Sequence, residues 1–217
     1  GREAGLTVGD YAINKGTLDN ANYDITYAGD AKLTINKLAI TVTAESTSKT
    51  YGDADPTFEV KSISPALVGS DKLSGSLART DKSENVGDYA ISKGTLDNAN
   101  YEITVASGAK LTITKRPITV TAQAKTKVFG ESDPEFTYVP LALVGTDKLS
   151  GSLGRTDKSE NVGDYVIENV SLVAGDNYEI TYVLAKLTIT AKPINVVVTA
   201  PAQMVVGAPI TVTASKD

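Results

Sequence analysis

Asp53 and Asp55, two residues apart and followed by Pro56, are the first groups in this sequence whose type and spacing could do chemistry; Glu131 and Asp133 echo them ahead of Pro134. Hard oxygen ligands at that spacing can join a calcium site. No Asp-x-Asp-x-Asp-Gly pattern follows, however, and Asp before Pro is ordinary turn chemistry, so the turn reading is preferred. Asp97-Asn98-Ala99-Asn100 invites the same two readings and the same preference. Chemistry of other kinds is sharply limited, because the 217 residues contain no His and no Cys. Thiolate nucleophiles, disulfides, His-ligated zinc and Ser-His-Asp triads are therefore excluded. Neither a metal nor another cofactor is expected.

Three further constellations have both a functional and a structural reading. Tyr11, Tyr89 and Tyr165, each closing a Val-Gly-Asp-Tyr step, could form a sugar-stacking row. Recurrence at one position favours instead a tyrosine corner, in which the hydroxyl bonds back to the main chain at a sandwich edge. Tyr23, Tyr101 and Tyr178, each after an Asn, open strands and read as core or rim packing. Lys and Asn side chains near an acid can condense to an isopeptide bond with loss of ammonia, but chance matches are plentiful in this composition. The sequon Asn169-Val170-Ser171 carries no weight. Paired carboxylates for hydrolysis need a cleft, and small domains with acids in separate turns offer none. The chain is not expected to be an enzyme, and no catalytic residue is assigned.

The elements that carry these groups are arranged as an internal repeat. Residues 66–89 return at 142–165 with 22 of 24 positions identical, only Ser70/Thr146 and Ala78/Gly154 differing. Val8, Val86 and Val162 open the Val-Gly-Asp-Tyr steps, and Lys32, Lys110 and Lys186 open Lys-Leu-Thr-Ile, spaced by 78 and then 76 residues. The odd step from Ile35 to Ile40, and from Ile113 to Ile118, inverts the apolar face of a period-2 strand, so a domain boundary belongs there. Pro117 and Pro193 reinforce it. The organisation is then the C-terminal part of a repeat (1–38), complete repeats at 39–116 and 117–192, and a tail (193–217). On this phase about 40 residues of the first repeat would lie upstream.

Within a repeat, Thr, Val, Ile and Tyr dominate short alternating runs, which suit half-buried pleated surfaces. Strands are expected around Ile118–Ala122, Phe136–Tyr138, Leu73–Leu77, Tyr89–Ile91, Tyr101–Val105 and Leu111–Ile113. The last two read as a hairpin turning through Ser107-Gly108. The stretch at 66–73 has room for one helical turn. The fold class is all-β: small Ig-like β-sandwich domains in tandem, with β-grasp-like repeats as the alternative. The tail reads as two strands around Pro201-Ala202-Gln203, similar to the opening of a bacterial Ig-like domain.

The linked motifs, from Ile40-Thr-Val-Thr-Ala44 through Tyr51-Gly52 and Asn85-Val-Gly-Asp-Tyr89 to Lys110-Leu-Thr-Ile-Thr114, resemble the MBG domain of the YGX type; in the next copy the Tyr-Gly step becomes Phe129-Gly130. The resemblance covers residues 1 to about 192. It implies an extracellular, multidomain bacterial protein of the surface or secreted adhesin kind, with no catalytic set.

Charge and junctions point the same way. Lys+Arg 21 against Asp+Glu 26 gives a net charge of −5. That argues against nucleic acid and anionic membrane as partners, and no apolar run is long enough to insert in a bilayer. Junctions of a few residues, stiffened by Pro117 and Pro193, favour an elongated array over a cluster. Strands of about ten residues would make each domain roughly 35 Å long. The expected job is a non-catalytic stalk on the bacterial cell surface, projecting a binding head. The expected partners are neighbouring repeats of the same, monomeric, chain. The alternative is direct binding of a glycan or host surface protein.

Overall fold

The structure is a computed structural model that describes residues 7–199, 206–207 and 213–216. The chain divides into two units, Gly1–Arg116 and Pro117–Asp217. In the first, β1 (Gly9–Ala12) and β2 (Lys32–Ile35) form an antiparallel pair. Seven strands follow: β3 (Leu38–Ala44), β4 (Thr47–Thr50), β5 (Val60–Ser64), β6 (Ala78–Arg79), β7 (Gly87–Ser92), β8 (Tyr101–Val105) and β9 (Lys110–Thr114). They make two sheets, ordered β5-β3-β8 and β4-β9-β7-β6.

Alternation explains the core. On β3, Ile40, Val42 and Ala44 point inward and are at most 4 % exposed, while Thr41 and Thr43 between them are not buried. Each buried Ile or Val stabilises the fold by about 2 kcal/mol. Against them pack Ile91 of β7 from the opposite sheet, Tyr101 and Ile103 of β8, and Leu77 and Leu96 from the connecting segments. Leu111 and Ile113 of β9 join Tyr89 in an adjoining cluster, and Phe58 touches both. No helix occurs among the described residues, which separates the molecule from the β-grasp-like alternative; the stretch at 66–73 carries a turn closed by the Asp71 amide on Val68 O instead.

The second unit repeats the plan. Its strands are β10 (Arg116–Thr121), β11 (Lys125–Val128), β12 (Leu153–Gly154), β13 (Gly163–Asn169), β14 (Tyr178–Val183) and β15 (Ala185–Thr190). They form the sheets β10-β14 and β11-β15-β13-β12. One cluster from both sheets, centred on Val120, Ile167, Leu187 and Ile189, fills the space between them. The counterpart of β5 shrinks to a single bridge between Ala122 and Tyr138. Two residues are lost nearby and Pro140 has no N–H to give a ladder. Beyond β15, β16 (Val196–Thr199) pairs antiparallel with β17 (Thr213–Lys216), while the expected Pro201-Ala202-Gln203 turn lies outside the described residues.

The pairing corrects the sequence reading in two places. Residues 101–105 and 111–113 do not form a hairpin: β8 pairs with β3, whereas β9 lies between β4 and β7. Residues 106–109 carry the chain from one sheet to the other, so both strands cover the core from opposite sides. The sandwich also departs from an antiparallel Ig pattern, because β3 runs parallel to β8 and β4 parallel to β9. β4 and its counterpart β11 were not expected as strands. Their inward position is held by a lysine, which hides the period-2 apolar signal.

The Val-Gly-Asp-Tyr step earns its recurrence in the sheet. Asp88 lies opposite Thr112 across β7 and β9, accepts its hydroxyl at 2.6 Å and pairs with Lys110. Asp10 accepts from Thr34 and Asp164 from Thr188, each at 2.7 Å. The same cross-strand clasp therefore occurs three times.

Candidate functional site

Four charged side chains converge in each complete repeat. Lys49 of β4 reaches Asp55 Oδ1 at 2.8 Å and also pairs with Glu84. Arg79 of β6 donates from Nε to Asp55 Oδ2 at 2.7 Å, pairs with Glu84, and donates to the main-chain oxygens of Asp81 and Ser83. In the second repeat Lys127 is 2.7 Å from Asp133 Oδ1 and pairs with Glu160. There Arg155 grips Asp133 with two donors, Nε at 2.8 Å and Nη2 at 2.9 Å. The cations are the buried members: Arg79 is 3 % and Arg155 1 % exposed.

Local backbone chemistry positions the cluster. After β4 the chain turns through Tyr51-Gly52, closed by the Asp53 amide on Thr50 O at 3.0 Å. Gly52 has φ +85° and Gly130 +89°, a conformation that a side chain resists and that a type II turn requires. This turn brings Asp55 and Asp133 back over the lysine two residues before it. On the other side, the Arg79 guanidinium lies 5.4 Å from the centre of the Tyr89 ring, and Arg155 lies 5.3 Å from that of Tyr165. Each tyrosine hydroxyl donates to the main chain four residues upstream: Tyr89 to Asn85 O at 2.6 Å, Tyr165 to Asn161 O at 2.7 Å, Tyr11 to Thr7 O at 2.7 Å. These are the tyrosine corners expected from the sequence, with one ring face of Tyr89 and Tyr165 already taken by arginine.

The cluster is electrostatically self-sufficient. Hydrogen bonds from Arg155, then Lys127, outweigh burial and hold the Asp133 carboxyl down at about 2. For Asp55, burial pushes upward but the bonds from Arg79 and Lys49 prevail, so it too lies below the ordinary carboxylate range. Glu84 and Glu160 are lowered chiefly by their lysine partners. Bonds to Asp133 and Glu160 raise the Lys127 ammonium.

That charge state decides what the group can do. Lys127, Asp133 and Glu160 have the proximity for an amide condensation, yet condensation needs a neutral amine and a protonated acid. The ion pairs enforce the opposite on both: Arg155 keeps Asp133 ionised, and the two carboxylates keep the Lys127 amine protonated. Calcium fares no better at Asp55 and Asp133, whose oxygens are committed to two cations each. Asp53 pairs with Arg116, and Glu131 accepts the Val128 amide at 2.9 Å.

The other sequence candidates serve the fold. Asn98 donates to Lys72 O and accepts the Asn100 amide, building the turn before β8. Tyr101 and Tyr178 are core residues at 2 % and 4 % exposure, while Tyr23 is exposed. Asn169 accepts the Leu172 amide at 2.7 Å. Three surface concavities are each lined by a single carboxylate, Asp71, Asp147 or Asp19, where hydrolysis by the two-acid route needs a pair. Sequence reasoning missed the Lys–Asp–Arg–Glu cluster. Its one signal was the return of all four residues at the repeat spacing.

The family model for the MBG domain (YGX type) matches the chain twice, at residues 40–112 and 118–188. Domains of this type are structural repeats that occur in tandem, usually in surface proteins. No curated protein and no solved structure matches the chain.

Proposed function

This chain belongs to the MBG domain (YGX type) family, and from that premise we propose that its repeats are a non-catalytic spacer of a bacterial cell-surface adhesin, carrying a binding head outward. One observation carries the reading. The residues with the chemistry to make a site are spent on one another inside each repeat, in the same arrangement twice. A domain whose charges are committed internally supports shape rather than turnover. The repeats at 39–116 and 117–192 act in series as monomeric modules outside the cell, and length follows from their number. Small-angle scattering of residues 39–192 tests this: a compact globule of that size has a radius of gyration of about 15 Å. A spacer gives a distinctly larger value with a rod-like distance distribution, and a value at the compact limit sinks the reading.

A second reading, direct adhesion to a glycan or host protein, is favoured by one difference between the copies. Val166, Val170 and Val173 are about half exposed where the first repeat has Ala90, Gly94 and Asp97. Pull-down and glycan-array binding that disappears when the three valines are exchanged for those residues would select it.

A further inference from the structure

Asn100 stands where residues 7–38 meet the repeat that follows, within the first unit. Its side-chain oxygen accepts the Val8 amide at 3.1 Å, across 92 residues of sequence. Its side-chain nitrogen faces Asp71 Oδ2 at 3.5 Å, and the Tyr101 hydroxyl donates to that same oxygen at 2.8 Å. The hydroxyl in turn accepts the Val68 amide at 2.8 Å. The Asn100 main chain is also fixed, its amide on Asn98 Oδ1 at 2.9 Å and its carbonyl on the Leu38 amide at 3.0 Å. Asn100 is thus held by its own repeat and by the linker, and presents one acceptor to the hairpin before it.

The chemistry selects a carboxamide. One end must accept from an amide while the other faces a carboxylate as a donor, which neither aspartate nor an aliphatic residue can do. Packing alone does not fix the joint, because a cavity of about 350 Å³ lies between Thr7, Val8 and Asn36 on one side and Ser70 and Asp71 on the other. A directional bond is what orients two bodies across such a gap.

We propose that Asn100 is a junction latch, its side chain docking the Val-Gly-Asp-Tyr hairpin of one repeat onto the next repeat of the same family. Both halves of the bond are part of the repeat: Val8, Val86 and Val162 open Val-Gly-Asp-Tyr, and Asn22, Asn100 and Asn177 precede tyrosine. The latch deepens the spacer reading and rests on it for its purpose, since a spacer transmits position only when its joints hold.

The test uses the full chain, amide hydrogen exchange at Val8 and nitrogen relaxation of residues 9–35. In the parent chain the Val8 amide is protected and the hairpin tumbles with residues 39–116. Asn100→Ala speeds Val8 exchange by roughly two- to tenfold, the worth of one hydrogen bond, and frees the hairpin's motion. Val8→Pro removes the donor from the other side without touching residues 39–116, and frees the hairpin equally while the spectrum of 39–116 persists. This variant decides the matter should Asn100→Ala fail to fold. An unprotected Val8 amide, or a hairpin that stays coupled in both variants, overturns the latch. A compact scattering profile with a protected Val8 would instead remove the spacer reading and leave the latch standing.

Discussion

Val170 and Gly154 share one volume: a β-carbon on Gly154 would stand 2.7 Å from Val170 Cγ2. In the first repeat the counterparts are Ala78 and Gly94, and a β-carbon on Gly94, whose φ is +55°, would meet Ser76 O at 2.4 Å before it met the Ala78 β-carbon at 3.0 Å. One of the two differences in the otherwise identical 24-residue stretch, Ala78/Gly154, therefore lies opposite a second difference between the copies, Gly94/Val170. Gly154→Ala should destabilise the second repeat by about 1–3 kcal/mol through overpacking. Adding Val170→Gly should return part of that loss. A denaturation cycle of the two single variants and the double measures it; additive effects would refute the shared volume.

Removing one anion from a buried cluster strands its cations. Asp133→Asn leaves Arg155 and Lys127 short of a charge partner and should cost about 3 kcal/mol, the low end for a broken buried pair. The low end applies because the Asp133 side chain is 27 % exposed. Thermal melting of the second repeat should fall by on the order of 15 °C.

Acid sensitivity follows from the same carboxyl. Its folded value of about 2 lies below the ordinary 3.8, so its contribution is complete above pH 4 and is lost as pH falls toward 2. That contribution is on the order of 2 kcal/mol. Stability measured across this window should decline in the parent chain and decline less steeply in Asp133→Asn.

Intact mass should equal the mass of the unmodified sequence. Arg155 keeps Asp133 ionised and the two carboxylates keep Lys127 protonated, so this pair does not condense with loss of water. A mass deficit of one water after prolonged incubation would show that condensation overcomes this barrier.

Tyr165→Phe keeps the ring beneath Arg155 and deletes the hydroxyl's bond to Asn161 O at 2.7 Å together with its longer contact to Ser159 Oγ at 3.2 Å. The expected cost is about 1 kcal/mol. A loss several times larger in equilibrium unfolding would mean that the hydroxyl does more than pin its corner.

The alternating runs 40–44, 87–92 and 118–122 could be read as strands because their inward residues are aliphatic or aromatic. The pairing of those strands was not legible. A short link between Tyr101–Val105 and Leu111–Ile113 has the length of a hairpin, but the same length also crosses between sheets. Local spacing carries no information about which distant strand completes the ladder. The charged cluster was hidden for a related reason. Lys49 and Arg79 occupy inward positions that composition assigns to solvent, and only the carboxylates of Asp55 and Glu84, brought in from elsewhere in the repeat, make their burial tolerable.

The parallel ladders have a mechanical meaning. The opening strands β3 and β4 of a repeat are bonded to its closing strands β8 and β9, Leu38 beside Tyr101 and Thr50 beside Thr114. Tension that enters ahead of Leu38 and leaves beyond Thr114 pulls such partners lengthwise past each other. The hydrogen bonds between them then bear load together and must fail together, unlike a hairpin peeled open rung by rung. Rupture under force is governed by the unfolding rate, and shear of this kind slows it. A domain of fewer than 80 residues without a disulfide thereby resists a pull applied along its two ends.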